Sequence, residues 1–535
     1  MRSPSVESSQ LTWPPVVSAA SSHRPAADRS YGQILKSSVV IGGSSIVTTI
    51  AAIVRTKFVA VFLGPAGVGL LGVFSSMTSM VWTLAGLGLT TSGVRQIAEA
   101  SGSGDSLRVA RTALAMRRVV FCLGLAGSLL LAAFSIPISR LTFGTADHAG
   151  QIVLLSIVIV LTGVGEGQTA RIQGFRRMGD LARAAVLAAV LTLTLTLPIV
   201  YIWRHDSVVA LLLAAYGASM ASSWWYARRI QTEAVRLSWR EIVGEARPLL
   251  RLGLASMSSA VMVAASGYFV RVLVARDLGL GAAGIFQSAA ALSSVYCGFI
   301  LTSMGADFLP RVSAVAGDDT TCNRLVNEQA EVGLLLAFPG ICATLAFSPL
   351  IVRLLYSPEF GVATDILRWQ VLGVFLRVAS WPMGYLLIAK GKAKLYFWTE
   401  LSYNLLYAVL IWACVRLWGL QGAGIAFFVL YVYYTVLMTF VTKGLSGFAW
   451  SSANRRVASV ALPISAAVFV SPLILPSPWA LLATCVLTAA ACLYSLRALV
   501  SVADGQTLPN ALARRLARLR AAALKGAARL GVDRG

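Results

Sequence analysis

Eight charged side chains fall inside stretches of sequence apolar enough to span a membrane: Arg55, Lys57, Glu166, Arg271, Arg276, Arg368, Arg377 and Glu400. A charge at mid-bilayer costs about 2.5–3.5 kcal/mol on insertion scales, so each should face a cavity, meet a partner or, near a helix end, extend to the interface. Two of the eight recur. Arg55 lies nine residues before Gly64 and Arg271 eight before Gly279, so at a rise of 1.5 Å per residue both sit about 12–14 Å below the same end of their helices. Two equivalent helices therefore carry a cation at one depth, with Lys57 as a third charge and Arg276, Arg368 and Arg377 as further candidates. Guanidinium groups grip phosphate oxygens bidentately, so this set suits a doubly or triply charged anion such as a diphosphate. Structural pairing with Glu166 or Glu400 is the competing account. Either carboxylate is also a candidate ion-coupling site, able to bind a proton or a cation as a cavity changes sides.

The elements that must position these charges are helices. With 57% hydrophobic and 13% charged residues, the chain is far from the soluble average of about 25% charged. Runs of about 20 apolar residues place fourteen helices, from one near 36–62 to one near 478–499. The first twelve form two copies of a six-helix unit. KFVAVFLGPAGVGLLGVF from Lys57 is echoed about 215 residues later by VRVLVARDLGLGAAGIFQ from Val270, which pairs Leu63-Gly64 with Leu278-Gly279 and Gly69 with Gly284. Farther on, GSGDSLR from Gly102 pairs with GDDTTCNR from Gly317. Units with an even number of helices start on the same side of the bilayer, so the copies relate by a pseudo-two-fold axis along the membrane normal with a cavity between them.

The expected organisation is an all-α polytopic membrane protein: a disordered tail over 1–33, an N-lobe over 34–248 (helices 1–6), a C-lobe over 249–445 (helices 7–12), two extra helices over 446–500 and a tail over 501–535. Lys and Arg concentrate in alternate loops and in both tails, which predicts cytoplasmic termini. The net charge of +23 then reflects topology and contact with anionic lipid rather than nucleic acid. No cleavable signal peptide is expected in residues 1–33, since their only apolar piece, LTWPPVV, is short and broken by proline. In the last tail, Leu512, Leu516 and Leu519 lie opposite Arg514 and Arg518, the pattern of a basic amphipathic helix resting on the cytoplasmic leaflet.

Several classes of chemistry find no support. The sequence has no GxxxxGK[ST] phosphate loop, no G-x-S-x-G elbow, no H-E-x-x-H pair and no CxxC, so neither a metal nor a cofactor is expected. The seven cysteines read as packing residues. Loops of about 20 residues leave no room for a soluble catalytic domain, although a membrane polymerase or ligase working through Arg and Asp would share the charge pattern. A membrane scaffold without transport is the remaining alternative.

Over residues 31–445 the chain resembles the Wzx-type O-antigen and polysaccharide-unit flippases of the multidrug/oligosaccharidyl-lipid/polysaccharide (MOP) exporter superfamily. The resemblance rests on LGPAGVGLLGVF (Leu63 to Phe74), on the segment Leu354 to Glu400 with its SPEF turn, ILRWQ and AKGKAKLYFWTE, and on the repeat spacing. It implies a two-lobed flippase of a bacterial inner membrane that alternates a central cationic cavity between the two sides. The implied cargo is an undecaprenyl-diphosphate-linked oligosaccharide, with membrane lipids and polysaccharide assembly proteins as partners. Helices 13 and 14 depart from the twelve-helix pattern and are similar to the extra pair of the related lipid II flippases, which helps form a groove for the polyprenyl tail. A lipid II flippase and a multidrug exporter remain the rival readings within the superfamily.

Overall fold

The computed structural model describes residues 26–504 apart from 103–104, 232 and 234. Most of the first tail and residues 505–535, including the basic amphipathic segment, lie outside the described residues. The first described helix begins at Ala26. In chain order the N-lobe comprises α1 (Ala26–Ala85), α2 (Leu89–Gly102), α3 (Ser106–Ala133), α4 (Ser135–Phe143), α5 (Ala149–Gly174), α6 (Met178–Trp203) and α7 (Ser207–Ala227). The C-lobe comprises α8 (Trp239–Ala314), α9 (Asp319–Leu355), α10 (Ala363–Ala389) and α11 (Ala393–Ser446), followed by α12 (Ser452–Ile474) and α13 (Ser477–Asp504). No strand occurs among the described residues.

Eleven of these helices are long and apolar enough to cross a membrane. Three are too long for one crossing: the 54 residues of α11 would extend about 80 Å as a straight rod, against about 30 Å of hydrocarbon. Each of the three breaks where the hydropathy reading changes helix. α1 breaks at Gly64 (φ 62°), α8 at Gly279 (φ 88°) and α11 at Trp418 and Gly419 (φ 58°).

The duplication is written into the backbone. Gly64 and Gly279 share a left-handed φ, as do Arg176 (54°) and Gly391 (66°), and Arg204 (43°) and Gly419 (58°). Each pair is separated by the repeat interval. The paired loops at Gly102 and Gly317 also end alike, for Asp105 caps the start of α3 and Asp318 that of α9 through their side chains, satisfying orphan helix N–H groups.

The lobes meet along α1 and α8, and the repeat-paired glycines Gly69 and Gly284 lie at the centre of the contact. A Cβ on Gly69 would stand 2.0 Å from the Leu280 carbonyl oxygen, and one on Gly284 would stand 1.8 Å from that of Pro65. Only hydrogen fits there, so helix backbones touch across the boundary as in small-residue membrane packing. A second contact joins Gly88 to Gly253, where a Cβ on either would fall 2.2–2.4 Å from a carbonyl oxygen of the other lobe. α12 and α13 pack on α9 of the C-lobe.

Candidate functional site

The paired arginines occupy two cavities, one inside each lobe, rather than a single cavity between lobes. The boundary is filled by the Gly69 and Gly284 backbones, and each helix turns its arginine into its own bundle. Arg55 lines a pocket of about 160 Å³ with Ser75, Thr196, Tyr216 and aliphatic residues. Arg271 lines a cavity of about 510 Å³ together with Arg377, Glu400, Asn404 and a set of aromatic side chains.

Arg271 is held from two sides. Its Nε donates to Gln287 Oε1 at 2.8 Å and its Nη1 to the Gly267 carbonyl at 2.9 Å. Gln287 reaches the lobe boundary, since a Cβ on Gly72 would lie 3.1 Å from Gln287 Cγ. Nη2 of Arg271 has no acceptor among the described residues, so a fixed guanidinium presents free N–H groups to the cavity. The Arg377 guanidinium carbon lies 5.9 Å from the Tyr431 ring centroid, within cation–π range. Arg55 donates no hydrogen bond to any described residue.

The other predicted residues lie elsewhere. Lys57 crosses the lobe boundary and donates from Nζ to the carbonyls of Arg353, at 3.1 Å, and Tyr356, satisfying the carbonyl end of α9. Arg276 crosses in the other direction, donating to the Leu141 carbonyl at 3.0 Å. Leu141 and Tyr356 are repeat mates, so each lobe uses one cation to tie down the same carbonyl of the other. Arg368 is only 7% exposed and faces α12, donating to the Phe469 carbonyl with its guanidinium 4.8 Å from the Phe469 ring centroid. These three cations do not join the arginines of the cavities.

Neither carboxylate forms an ion pair with Arg55 or Arg271. Glu166 Oε2 accepts from Trp82 Nε1 and Thr90 Oγ1, both at 2.8 Å, and so bridges the break between α1 and α2 at Leu87 and Gly88. Glu400 lies in the C-lobe cavity, where its Oε1 accepts from the Tyr434 hydroxyl at 3.0 Å.

The aromatic lining was not anticipated. Trp381 and Tyr385 pack at 4.5 Å between centroids and Phe427 and Tyr431 at 4.9 Å, both pairs tilted, and Tyr403 and Tyr434 meet edge to face at 5.0 Å. The signal that could have revealed it is spacing: Trp381/Tyr385, Tyr403/Tyr407 and Tyr431/Tyr434 lie four, four and three residues apart, each pair on one helix face.

Solved structures place this architecture in a known class. The lipid II flippase MurJ in an inward closed conformation superposes with a TM-score of 0.66 at 12% identity, covering 88% of this chain and 100% of MurJ. An inward-facing multidrug resistance MATE family transporter of the MOP superfamily gives 0.64 at 16% identity, over 75% of this chain and 94% of that one. The fold is that of the MOP superfamily. Residues 58–365 match the sequence profile of the family described as "Polysaccharide biosynthesis protein", and the chain belongs to that family. Among curated proteins it is similar to the lipid III flippase of Escherichia coli (strain K12), 26% identical over 413 residues that cover 75% of this chain and 96% of the relative.

Proposed function

We propose that the protein is a flippase that moves an undecaprenyl-diphosphate-linked oligosaccharide, an O-antigen or other polysaccharide repeat unit, from the cytoplasmic to the periplasmic leaflet of a bacterial inner membrane. The observation that carries this reading is the Arg271 guanidinium, oriented by Gln287 and Gly267 in a 510 Å³ cavity, with no carboxylate against it. An anionic head crossing the hydrocarbon must exchange its water for other donors. Arg271, with Arg377 beside it and Arg55 across the boundary, supplies charge-assisted ones. Family membership and the similarity to a lipid III flippase support the same class of cargo.

The polyprenyl tail stays in the bilayer while the lobes rock about the Gly69–Gly284 contact, with the N-lobe over 34–248 and the C-lobe over 249–445 as the moving halves. Both termini are cytoplasmic in this scheme, and polysaccharide assembly proteins receive the product. Transport needs no bond-breaking step, no cofactor and no metal. In this reading Glu166, at the break in the second crossing, and Glu400, in the cavity, couple lobe movement to a proton or a cation. Lys57 and Arg276 act as ties between lobes, and Arg368 anchors the extra helices.

One observation favours a second reading. Glu400 among aromatic rings is also a setting for an organic cation, as a multidrug exporter would require. One assay separates the two. Proteoliposomes carrying a fluorescent undecaprenyl-diphosphate oligosaccharide should transfer the intact lipid, and the Arg55→Ala/Arg271→Ala protein should not, although it inserts normally. Export of ethidium without lipid transfer would establish the exporter, and a covalently altered glycan would establish a polymerase or ligase.

A further inference from the structure

The C-lobe cavity is larger and chemically richer than a diphosphate requires. Its 510 Å³ falls within the roughly 300–1,000 Å³ of small-molecule sites, and its lining mixes flat aromatic faces with polar tips. Three tyrosine hydroxyls are engaged: that of Tyr403 donates to that of Tyr431 at 3.1 Å, and that of Tyr434 donates to Glu400 at 3.0 Å. Asn404 donates from Nδ2 to the Glu400 carbonyl at 2.8 Å. These bonds fix the side chains and leave three groups without partners among the described residues: Glu400 Oε2, Asn404 Oδ1 and the Tyr407 hydroxyl.

Resting on the flippase reading, we propose that this cavity receives the sugar next to the diphosphate and that the C-lobe sets glycan selectivity. A pyranose has two chemically distinct parts, apolar C–H faces and a rim of hydroxyls. Trp381 and the tyrosines offer rings to the faces, while Glu400, Asn404 and Tyr407 offer acceptors and a donor to the rim. A polyprenyl chain would leave those polar groups unsatisfied, and a bare phosphate would leave the rings uncovered. Arg271 lines the same cavity, so the diphosphate and its first sugar are contiguous. The N-lobe pocket, at 160 Å³ with Tyr216 as its one aromatic residue, has room for neither face nor rim. A site that hydrogen-bonds a ligand's hydroxyls also rejects ligands that lack them, because its own buried polar groups are then left unpaired.

The test is a binding titration in nanodiscs with undecaprenyl diphosphate, bare and carrying glucose, galactose or N-acetylglucosamine. At least one glycosylated lipid should bind the native protein at least tenfold more tightly than the bare lipid. Asn404→Ala, Tyr407→Phe and Glu400→Gln should each shrink that ratio to within about twofold, whereas Arg271→Ala should weaken all four lipids together. The proposal is overturned if no sugar improves binding to native protein, or if the ratio survives in variants that still bind the bare lipid. A native protein that binds no undecaprenyl diphosphate at all would overturn the flippase reading itself.

Discussion

The two lobes are alike where they touch and unlike where they are hollow. At the boundary, Gly69 faces Gly284, and Lys57 and Arg276 hold repeat-related carbonyls of opposite lobes. Inside, one arginine sits in a small aliphatic pocket and its counterpart in an aromatic cavity about three times larger. A duplicated unit must keep the surfaces on which both copies move, because the motion is shared. Its interiors are free to diverge, and here the C-lobe interior carries aromatic rings and polar groups that the N-lobe pocket lacks.

The largest effect should come from breaking the shared part. Gly284→Val puts side-chain atoms where a Cβ alone already meets the Pro65 carbonyl. The lobes should then be unable to close, transfer should stop, and spin labels across the boundary should report a longer distance. Next comes the contrast between the arginines. A charge-assisted hydrogen bond contributes about 1.5–3 kcal/mol, roughly ten- to a hundredfold, so Arg271→Ala should lower transfer about a hundredfold and Arg55→Ala about tenfold. Equal losses would mean that the lobes bind the head symmetrically.

A smaller effect sharpens the comparison of backbones. Arg204 holds a left-handed φ of 43° where its repeat mate is Gly419, a conformation that costs a side-chain-bearing residue about 1–3 kcal/mol. Arg204→Gly should raise the unfolding temperature in detergent, and Gly419→Ala should lower it. The smallest concerns the start of α8, where Glu241 completes a capping box with Ser238. Hydrogen bonds from the Ser238 backbone and hydroxyl hold the Glu241 carboxyl below its ordinary value. Its contribution is therefore present at neutral pH and fades as pH falls through that lowered value. Amide exchange over residues 239–242, corrected for intrinsic rates, should quicken in acid, and Glu241→Gln should remove the dependence.

Much of the fold was legible because the repeat is carried by glycines whose role is conformational or steric. Leu63-Gly64 and Leu278-Gly279 mark the two breaks, whereas the repeat pairing of Gly69 with Gly284 gave no hint that the two meet in a contact that admits no side chain. The distance of each arginine from its break was legible as well, which is why Arg55 and Arg271 stand out. Direction around the helix was not. Lys57 lies only two residues from Arg55, yet it points across the boundary to the end of α9, and Arg276 mirrors it. Arg368 was indistinguishable in sequence from Arg377, because only the packing of α12 decides which of them is covered. The tyrosines do not stand out in sequence because aromatic residues within a span add to its apolar character, and only their joint placement on three crossings makes a cavity.

The most direct test is a structure of the protein in nanodiscs with the glycosylated undecaprenyl diphosphate that binds best. The account predicts diphosphate density against the free Nη2 of Arg271 and sugar density between Trp381 and Tyr407. Head-group density in the Arg55 pocket alone, or against Lys57 and Arg276 at the lobe boundary, would contradict it.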